Sequence, residues 1–207
     1  FVTGSPMAEV IHMYAENIEK SKILSELKLE RGKYILVSCH REENIDLEHN
    51  FYNLMTAIND IAEKYQLPVI YSVHPRSKKW IEKRNFIFHP LVKQMKPLGF
   101  FDYNKLQKES FCVLSDSGTL SEESAMLNFP GILIRTSTER PEALDFGSII
   151  IGGITTKNII QSINLALALK NEKITFNKDY QTLNVSTKVV KIIQSYAQII
   201  NIKTWRK

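Results

Sequence analysis

Short β-branched runs alternate along this chain with longer stretches of helical period. That alternation leaves few solutions other than an α/β fold around a mainly parallel sheet. The runs Tyr34-Ile35-Leu36-Val37-Ser38-Cys39, 69–73, 111–115, 131–135 and 148–151 read as strands. Further short strands are expected at Phe86-Ile87-Phe88 and in the segment before Leu98. Ser5 and Pro6 supply the cap and first-turn residue of an opening helix, whose apolar positions Met7, Val10, Ile11, Tyr14 and Ile18 keep the helical period. Other helices are predicted over 48–65 (Phe51, Leu54, Met55, Ile58, Ile61, Ala62), 119–128, a short piece from Pro141, 155–170 and 187–201. The last carries Val189, Val190, Ile193, Tyr196 and Ile200 on one side, and a polar, loop-like stretch at 171–186 precedes it.

Composition narrows the classes further. With 43% hydrophobic and 24% charged residues, the chain has the balance of a globular domain and not of a disordered one. No apolar run approaches the roughly 18 residues of a membrane span. The 27 Lys and Arg against 22 Asp and Glu leave a net charge of +5, spread along the chain without the clustered basic face that nucleic acid demands. Cys39 and Cys112 each sit inside an apolar run without CxxC spacing, so they read as packed, reduced thiols of a cytoplasmic protein. The opening Phe1-Val2-Thr3-Gly4 lacks an initiator Met and reads as the middle of a longer protein. The expectation is one domain over 1–207, with the 187–201 helix packing either on this domain or on a missing partner domain.

Ligands of parallel sheets bind beyond the C-terminal strand ends, where loops and helix starts converge. Four such ends are polar here: His40-Arg41-Glu42-Glu43-Asn44, His74-Pro75-Arg76, Asp116-Ser117-Gly118-Thr119, and Thr136 to Glu142. The Ser117-Gly118-Thr119 turn enters a helix, so its amides and the helix dipole suit a phosphate; an ordinary cap is the bland alternative. Thr119-Leu120-Ser121-Glu122 fits a capping box, which occupies Glu122 and leaves Glu123 facing inward as an acceptor for a ribose diol. Arg140 can grip a diphosphate bidentately or pair with Glu139 or Glu142. His40 follows a buried strand and is a catalytic or phosphate-contacting candidate, whereas His74 is either a ligand contact or part of a rigid turn before Pro75. His12, His49 and His89 read as surface or helix-face residues. The His and Cys residues lack zinc-ligand spacing, and Ser117 lacks the GxSxG elbow of a serine hydrolase.

Taken in order, Val2-Thr3-Gly4-Ser5-Pro6, His40 to Asn44, Asp116 to Thr119 with Glu122-Glu123, and Thr138-Glu139-Arg140-Pro141-Glu142 resemble the C-terminal half of the non-hydrolysing UDP-N-acetylglucosamine 2-epimerase family. The resemblance runs from the first residues to about residue 153. Ser115 to Asn128, with Thr138 to Glu142, look most like the capsule and O-antigen branch, whose members make UDP-N-acetyl-L-fucosamine from a UDP-2-acetamido-2,6-dideoxy-L-talose. It implies a Rossmann-like parallel sheet with helices on both faces, as the second half of a two-domain GT-B-type fold with UDP in the cleft. Ser117 and the amides of Gly118 and Thr119 would then bind the diphosphate, Glu123 the ribose, Arg140 the phosphates and the backbone near Tyr103 the uracil. His40 would face the reacting sugar, and His74 would be a substrate or allosteric contact.

The resemblance further implies elimination and re-addition of UDP without NAD or metal, proton-transfer acids in an absent N-terminal domain, and a homodimer. This chain alone would bind UDP and catalyse nothing. Thr119 stands where the family usually has a second Gly, which fits the capsule-type branch, and Ser5 stands for the usual Asn. Two other readings stand beside it: the donor domain of a GT-B glycosyltransferase, and a non-catalytic interaction domain without nucleotide affinity.

Overall fold

The computed structural model describes residues 1–169 and 177–206. In chain order the elements are α1 (Pro6–Met13), α2 (Ala15–Lys20), α3 (Ile23–Glu26), β1 (Ile35–Ser38), α4 (Glu42–Ile45), α5 (Glu48–Tyr65), β2 (Val69–Ser72), α6 (Pro75–Lys83) and β3 (Val92–Met95). They continue with α7 (Phe100–Glu109), β4 (Cys112–Ser115), α8 (Leu120–Leu127), β5 (Gly131–Leu133), α9 (Pro141–Asp145), β6 (Ile150–Ile151), α10 (Thr156–Ala168), a 3₁₀ turn Lys178–Gln181 and α11 (Val185–Lys203).

The six strands pair in the order β3-β2-β1-β4-β5-β6, and every pairing is parallel. Successive side chains of β1 divide between two cores, as a pleated strand buried on both faces requires. Ile35 and Val37 join Phe51, Leu54 and Ile58 of α5 and Ile159 and Ile163 of α10 on one face. Tyr34 and Leu36 join Ile70, Leu106 of α7, Val113 and Leu120 of α8 on the other. Helices thus cover both faces. Chain order reverses between β1 and β4, whose neighbouring register brings Ser38 opposite Ser115. At that switch point the loops after two adjacent strands diverge to opposite faces and leave a crevice.

Two expectations need correction. The opening helix does not run through Ile18: at Tyr14 ψ moves to 15°, and α2 restarts at Ala15. The ring of Tyr14 there meets Phe101 at 5.4 Å between centroids. Phe86-Ile87-Phe88 is not a strand. Phe86 and Phe88 stack edge-on with each other and against Phe51 and Tyr71, so their apolar area closes the core and not a sheet edge. The edge strand is β3, before Leu98, and it turns Lys93 and Gln94 to solvent, as an unpaired edge favours.

The polar stretch 171–186 lies in part outside the described residues; from Asn177 it forms the 3₁₀ turn and the start of α11. Ser186 of α11 donates to Glu9, and Lys188 donates to the Thr3 carbonyl. Tyr196 stacks on Phe1 at 4.9 Å. Only Val185 of this helix is buried, and Val190 and Ile193 remain 65% and 63% exposed, so its apolar side finds little cover on these residues. Among the described residues no helix is long and apolar enough to cross a membrane.

Candidate functional site

Asp116 directly follows β4 with its side chain wholly buried, and its carboxylate organises the β1 end beside it. Oδ2 accepts from the amides of His40 (2.8 Å) and Arg41 (2.9 Å) and from Asn44 Nδ2 (3.1 Å). Asn44 also donates to the Ile134 carbonyl at 3.0 Å, tying in β5. Oδ1 faces His40 Nδ1 at 3.3 Å, an ion-pair distance without hydrogen-bond alignment. The strand-end cluster is therefore one network. A carboxylate facing Nδ1 orients the imidazole and turns Nε2 outward.

His74 lies beside it, with ring centroids 5.1 Å apart. Its Nδ1 accepts from the Arg76 amide at 3.2 Å, so it caps α6 and fills the rigid-turn role that Pro75 announced. Below the pair, Tyr71 hydroxyl meets Cys39 Sγ at 3.0 Å, and Ser77 donates to the Cys39 carbonyl at 2.6 Å. Both cysteines are buried and unpaired, and burial pushes their thiols up.

Ser117 and Thr119 hydroxyls bond each other at 2.9 Å across Gly118. A Cβ on Gly118 would come 3.7 Å from Arg41 Nη2, so that guanidinium overhangs the turn. Arg41 is fixed there by Nε donating to the Asp116 carbonyl (2.9 Å) and Nη1 to Glu139 (3.0 Å). Glu139 is in turn gripped by the buried Arg135 through two bonds of 2.5 and 2.7 Å, and Glu43 approaches Arg135 at 3.3 Å. Hydrogen bonding by Arg135, with the charge of Arg41, brings the Glu139 carboxyl down to about 2.

The capping box does not form. Thr119 makes no side-chain cap bond, and Glu122 instead pairs with Arg140 Nη2 at 2.8 Å and accepts from the Ser5 hydroxyl. A guanidinium and a buried hydroxyl together outbid a single helix amide for that carboxylate. Arg140 thus leans on Glu122 first and on Glu142 more loosely at 3.8 Å, while Glu139 serves the other two arginines. Ser5 also caps α1 through the Met7 amide, as expected.

Glu123 faces inward as expected. It is buried one turn into α8, and Gln107 Nε2 donates to it at 2.6 Å. Burial raises its carboxyl above the usual 4.5, opposed by hydrogen bonds from Gln107 and Thr119. Tyr103, one turn before Gln107 on α7, turns its phenol toward Ser38 and Ser115; burial and the nearby Glu123 push it up.

The structure therefore brings His40, Ser117, Gly118, Thr119, Glu123, Arg140 and Tyr103 to one sheet edge, with His74 flanking. Sequence reading missed Arg41 as a turn-side cation, Arg135 and Glu139 as its brace, and Gln107. Arg135 carried a usable signal: it is a cation appended to the apolar run Ile132-Leu133-Ile134. A mainly apolar, half-open cavity of about 240 Å³ lies away from this edge, at the other end of β5 and β6, lined by Phe129, Ile149 and Leu165.

Comparison with known proteins follows the same line. Residues 1–194 match the family model for UDP-N-acetylglucosamine 2-epimerase. A UDP-N-acetylglucosamine 2-epimerase of Methanococcus maripaludis is 35% identical over 158 residues, which are 74% of this chain and 43% of that protein. The structure of UDP-N-acetylglucosamine 2-epimerase from Rickettsia bellii superposes with a TM-score of 0.87 at 33% identity, covering 99% of this chain and 56% of that one. The Methanocaldococcus jannaschii enzyme in complex with UDP-GlcNAc and UDP gives 0.84 at 27% identity, over 94% and 54%. An Escherichia coli ADP-heptose heptosyltransferase, at 14% identity and TM-score 0.53, shares the GT-B-like fold. This chain spans about half the length of the relatives it matches.

Proposed function

This chain belongs to the UDP-N-acetylglucosamine 2-epimerase family, and we propose that it is the nucleotide-binding half of an enzyme inverting C2 of a UDP-2-acetamido sugar. One observation carries the reading: the Ser117-Gly118-Thr119 turn opens α8 under Arg41, with Arg140 and the buried carboxylate of Glu123 on the same edge.

The reaction balances as elimination and re-addition. A base takes the C2 proton, the C1–O bond breaks with its electron pair going to the diphosphate, and a 2-acetamidoglycal forms. UDP then returns to C1 while a proton is delivered to the other face of C2. Every step moves a proton or the electron pair of the C1–O bond and none moves a hydride, so this route calls for no NAD. The demand on this half is to hold UDP and to stabilise the diphosphate as it departs. Arg41, Arg140 and the N-terminal amides of α8 meet that demand with preorganised positive charge. Glu123 accepts from the ribose hydroxyls, the backbone near Tyr103 takes the uracil, and His40 faces the sugar, oriented by Asp116. His74 is a further contact at the rim.

The acids that move the C2 proton belong to an amino-terminal half, on which α11 docks its uncovered apolar side. Residues 1–207 form the second domain of that enzyme, a cytoplasmic homodimer. Thr119 in the place of a second glycine favours UDP-2-acetamido-2,6-dideoxy-L-talose as substrate and UDP-N-acetyl-L-fucosamine as product.

Calorimetric titration of this chain with UDP, with ADP as control and Arg140→Ala as second protein, tests the reading. Saturable UDP binding lost in the variant is expected, without C2 inversion by the chain alone. Equal binding of UDP by both proteins, or inversion by the chain alone, would overturn the respective claim. Product analysis on the full-length enzyme separates epimerisation from glycosyl transfer, which consumes an acceptor.

A further inference from the structure

Gln107 has no role in the reaction just described, yet its side chain ends at the site. It is fully buried on α7 and spends its Nε2–H on Glu123 at 2.6 Å. Its Oε1, also buried, has no hydrogen-bond partner among the described residues. An amide kept for packing alone would pair both ends or be replaced by an apolar residue of the same shape, because an unpaired buried carbonyl is costly. Here only one end is paired, and that end meets the carboxylate assigned to the ribose.

We propose that Gln107 is the positioning residue for Glu123 and sets the preference for ribonucleotides over deoxyribonucleotides. The inference rests on the reading of Glu123 as the ribose ligand. A carboxylate offers about four lone-pair sites on two oxygens. Gln107 takes one of them and fixes the plane of the group, leaving acceptors for two O–H donors of a vicinal diol. The same bond helps to keep a buried carboxylate ionised, against the upward push of burial. Without it only the Thr119 bond still holds the group, which is less fixed in plane and, once protonated, offers a donor where the diol needs acceptors.

The test is titration with UDP, 2′-deoxy-UDP and 3′-deoxy-UDP of the wild type, Gln107→Met and Glu123→Ala. Met keeps the length and most of the volume and removes the donor. The wild type is expected to favour UDP over either deoxy form by about tenfold or more, the worth of a hydrogen bond to a charged group. In Gln107→Met that ratio should fall below about threefold, while 2′-deoxy-UDP binds within about twofold of its wild-type affinity, which also shows that the variant is folded. A full UDP preference in Gln107→Met, with the preference lost in Glu123→Ala, overturns the role of Gln107 alone. A preference surviving in Glu123→Ala, or a wild type that binds none of the three, overturns the ribose reading and this inference with it.

Should Gln107→Met unfold, the wild type decides by nitrogen-15 NMR. The Gln107 side-chain amide should shift on adding UDP and markedly less with 2′-deoxy-UDP. An amide unmoved by UDP, or moved equally by both, refutes the proposal.

Discussion

Truncating Asp116 to Ala should cost this chain about 4 kcal/mol of folding stability. The carboxylate is wholly buried and its Oδ2 serves three donors, the amides of His40 and Arg41 and the side chain of Asn44. Removal strands all three. The two amides are partly exposed and recover some hydration, so about 1 kcal/mol each is reasonable, while the buried Asn44 group loses about 2 kcal/mol. For a domain of this size 1 kcal/mol moves the midpoint by roughly 2–4 °C, so the loss should read as about 8–16 °C in scanning calorimetry.

Asp116→Asn separates stability from orientation. Its carbonyl can occupy the Oδ2 position and satisfy the same donors, so the cost should stay near 1 kcal/mol. Its amide, however, presents N–H to His40 Nδ1, 3.3 Å from Oδ1 in the native arrangement, and imposes the opposite imidazole tautomer. Ring nitrogen-15 shifts of His40 should therefore exchange between Nδ1 and Nε2 in a protein that still melts near the wild type. An Ala variant melting within about 3 °C of wild type would show that Asp116 does not organise this strand end, and an Asn variant with an unchanged tautomer would show that Oδ1 does not orient His40.

Other consequences follow from the same geometry. The carboxyl of Glu123 is raised in the fold above its usual 4.5, so its contribution to stability is fully present below that value and is lost as pH rises through the raised value. UDP affinity should run the other way, falling on acidification as the acceptor becomes a donor, and Glu123→Gln should flatten that part of the profile in calorimetry at several pH values. Gly152→Ala should destabilise by about 1–3 kcal/mol in urea titration, because its Cβ would lie 2.5 Å from Cγ2 of the buried, β-branched Ile132. Ser5→Ala removes both the α1 cap and the bond to Glu122, so it should cost about 1–2 kcal/mol in the same assay and weaken UDP severalfold through a looser Arg140. Ile193→Asp should leave the melting of this chain within about 0.5 kcal/mol, because the side chain is exposed. In the full-length protein it should destabilise strongly if α11 docks as proposed, and equal tolerance in both would refute the docking.

What the sequence could reveal divides along local and non-local lines. Strands β1 and β4 are apolar runs ending abruptly in polar residues, and a parallel sheet brings such ends to one edge, so the gathering of His40 and Asp116 there was legible from pattern, whereas their contact follows from the strand order. Ser5 as the α1 cap and Glu123 as the inward glutamate followed from helix-end rules. The same rules misassigned Glu122, because the capping box weighs only the three residues before it. Its actual partners are Ser5, 117 positions away, and Arg140 on another strand end. Phe86 and Phe88 failed for a related reason: aromatic residues suit a strand and a core lid equally, and tertiary packing chooses.

The arginines show why the site itself was read less well than its location. Each cation at this edge is held by a carboxylate of the protein: Arg41 and Arg135 by Glu139, Arg140 by Glu122. A sequence displays the charges but not which anion holds which cation. Yet that pairing decides the chemistry, because a diphosphate approaching this edge does not meet free guanidiniums. It must compete with Glu139 for Arg41 and with Glu122 for Arg140. The Arg41–Glu139 pair is partly exposed and individually weak, so a doubly charged diphosphate that also collects the α8 amides can displace or share it, whereas Glu122 is buried and the diphosphate shares Arg140 with it. The buried Arg135 keeps two bonds on Glu139 throughout, so Arg41 can be released while the loop that carries Glu139 and Arg140 stays braced.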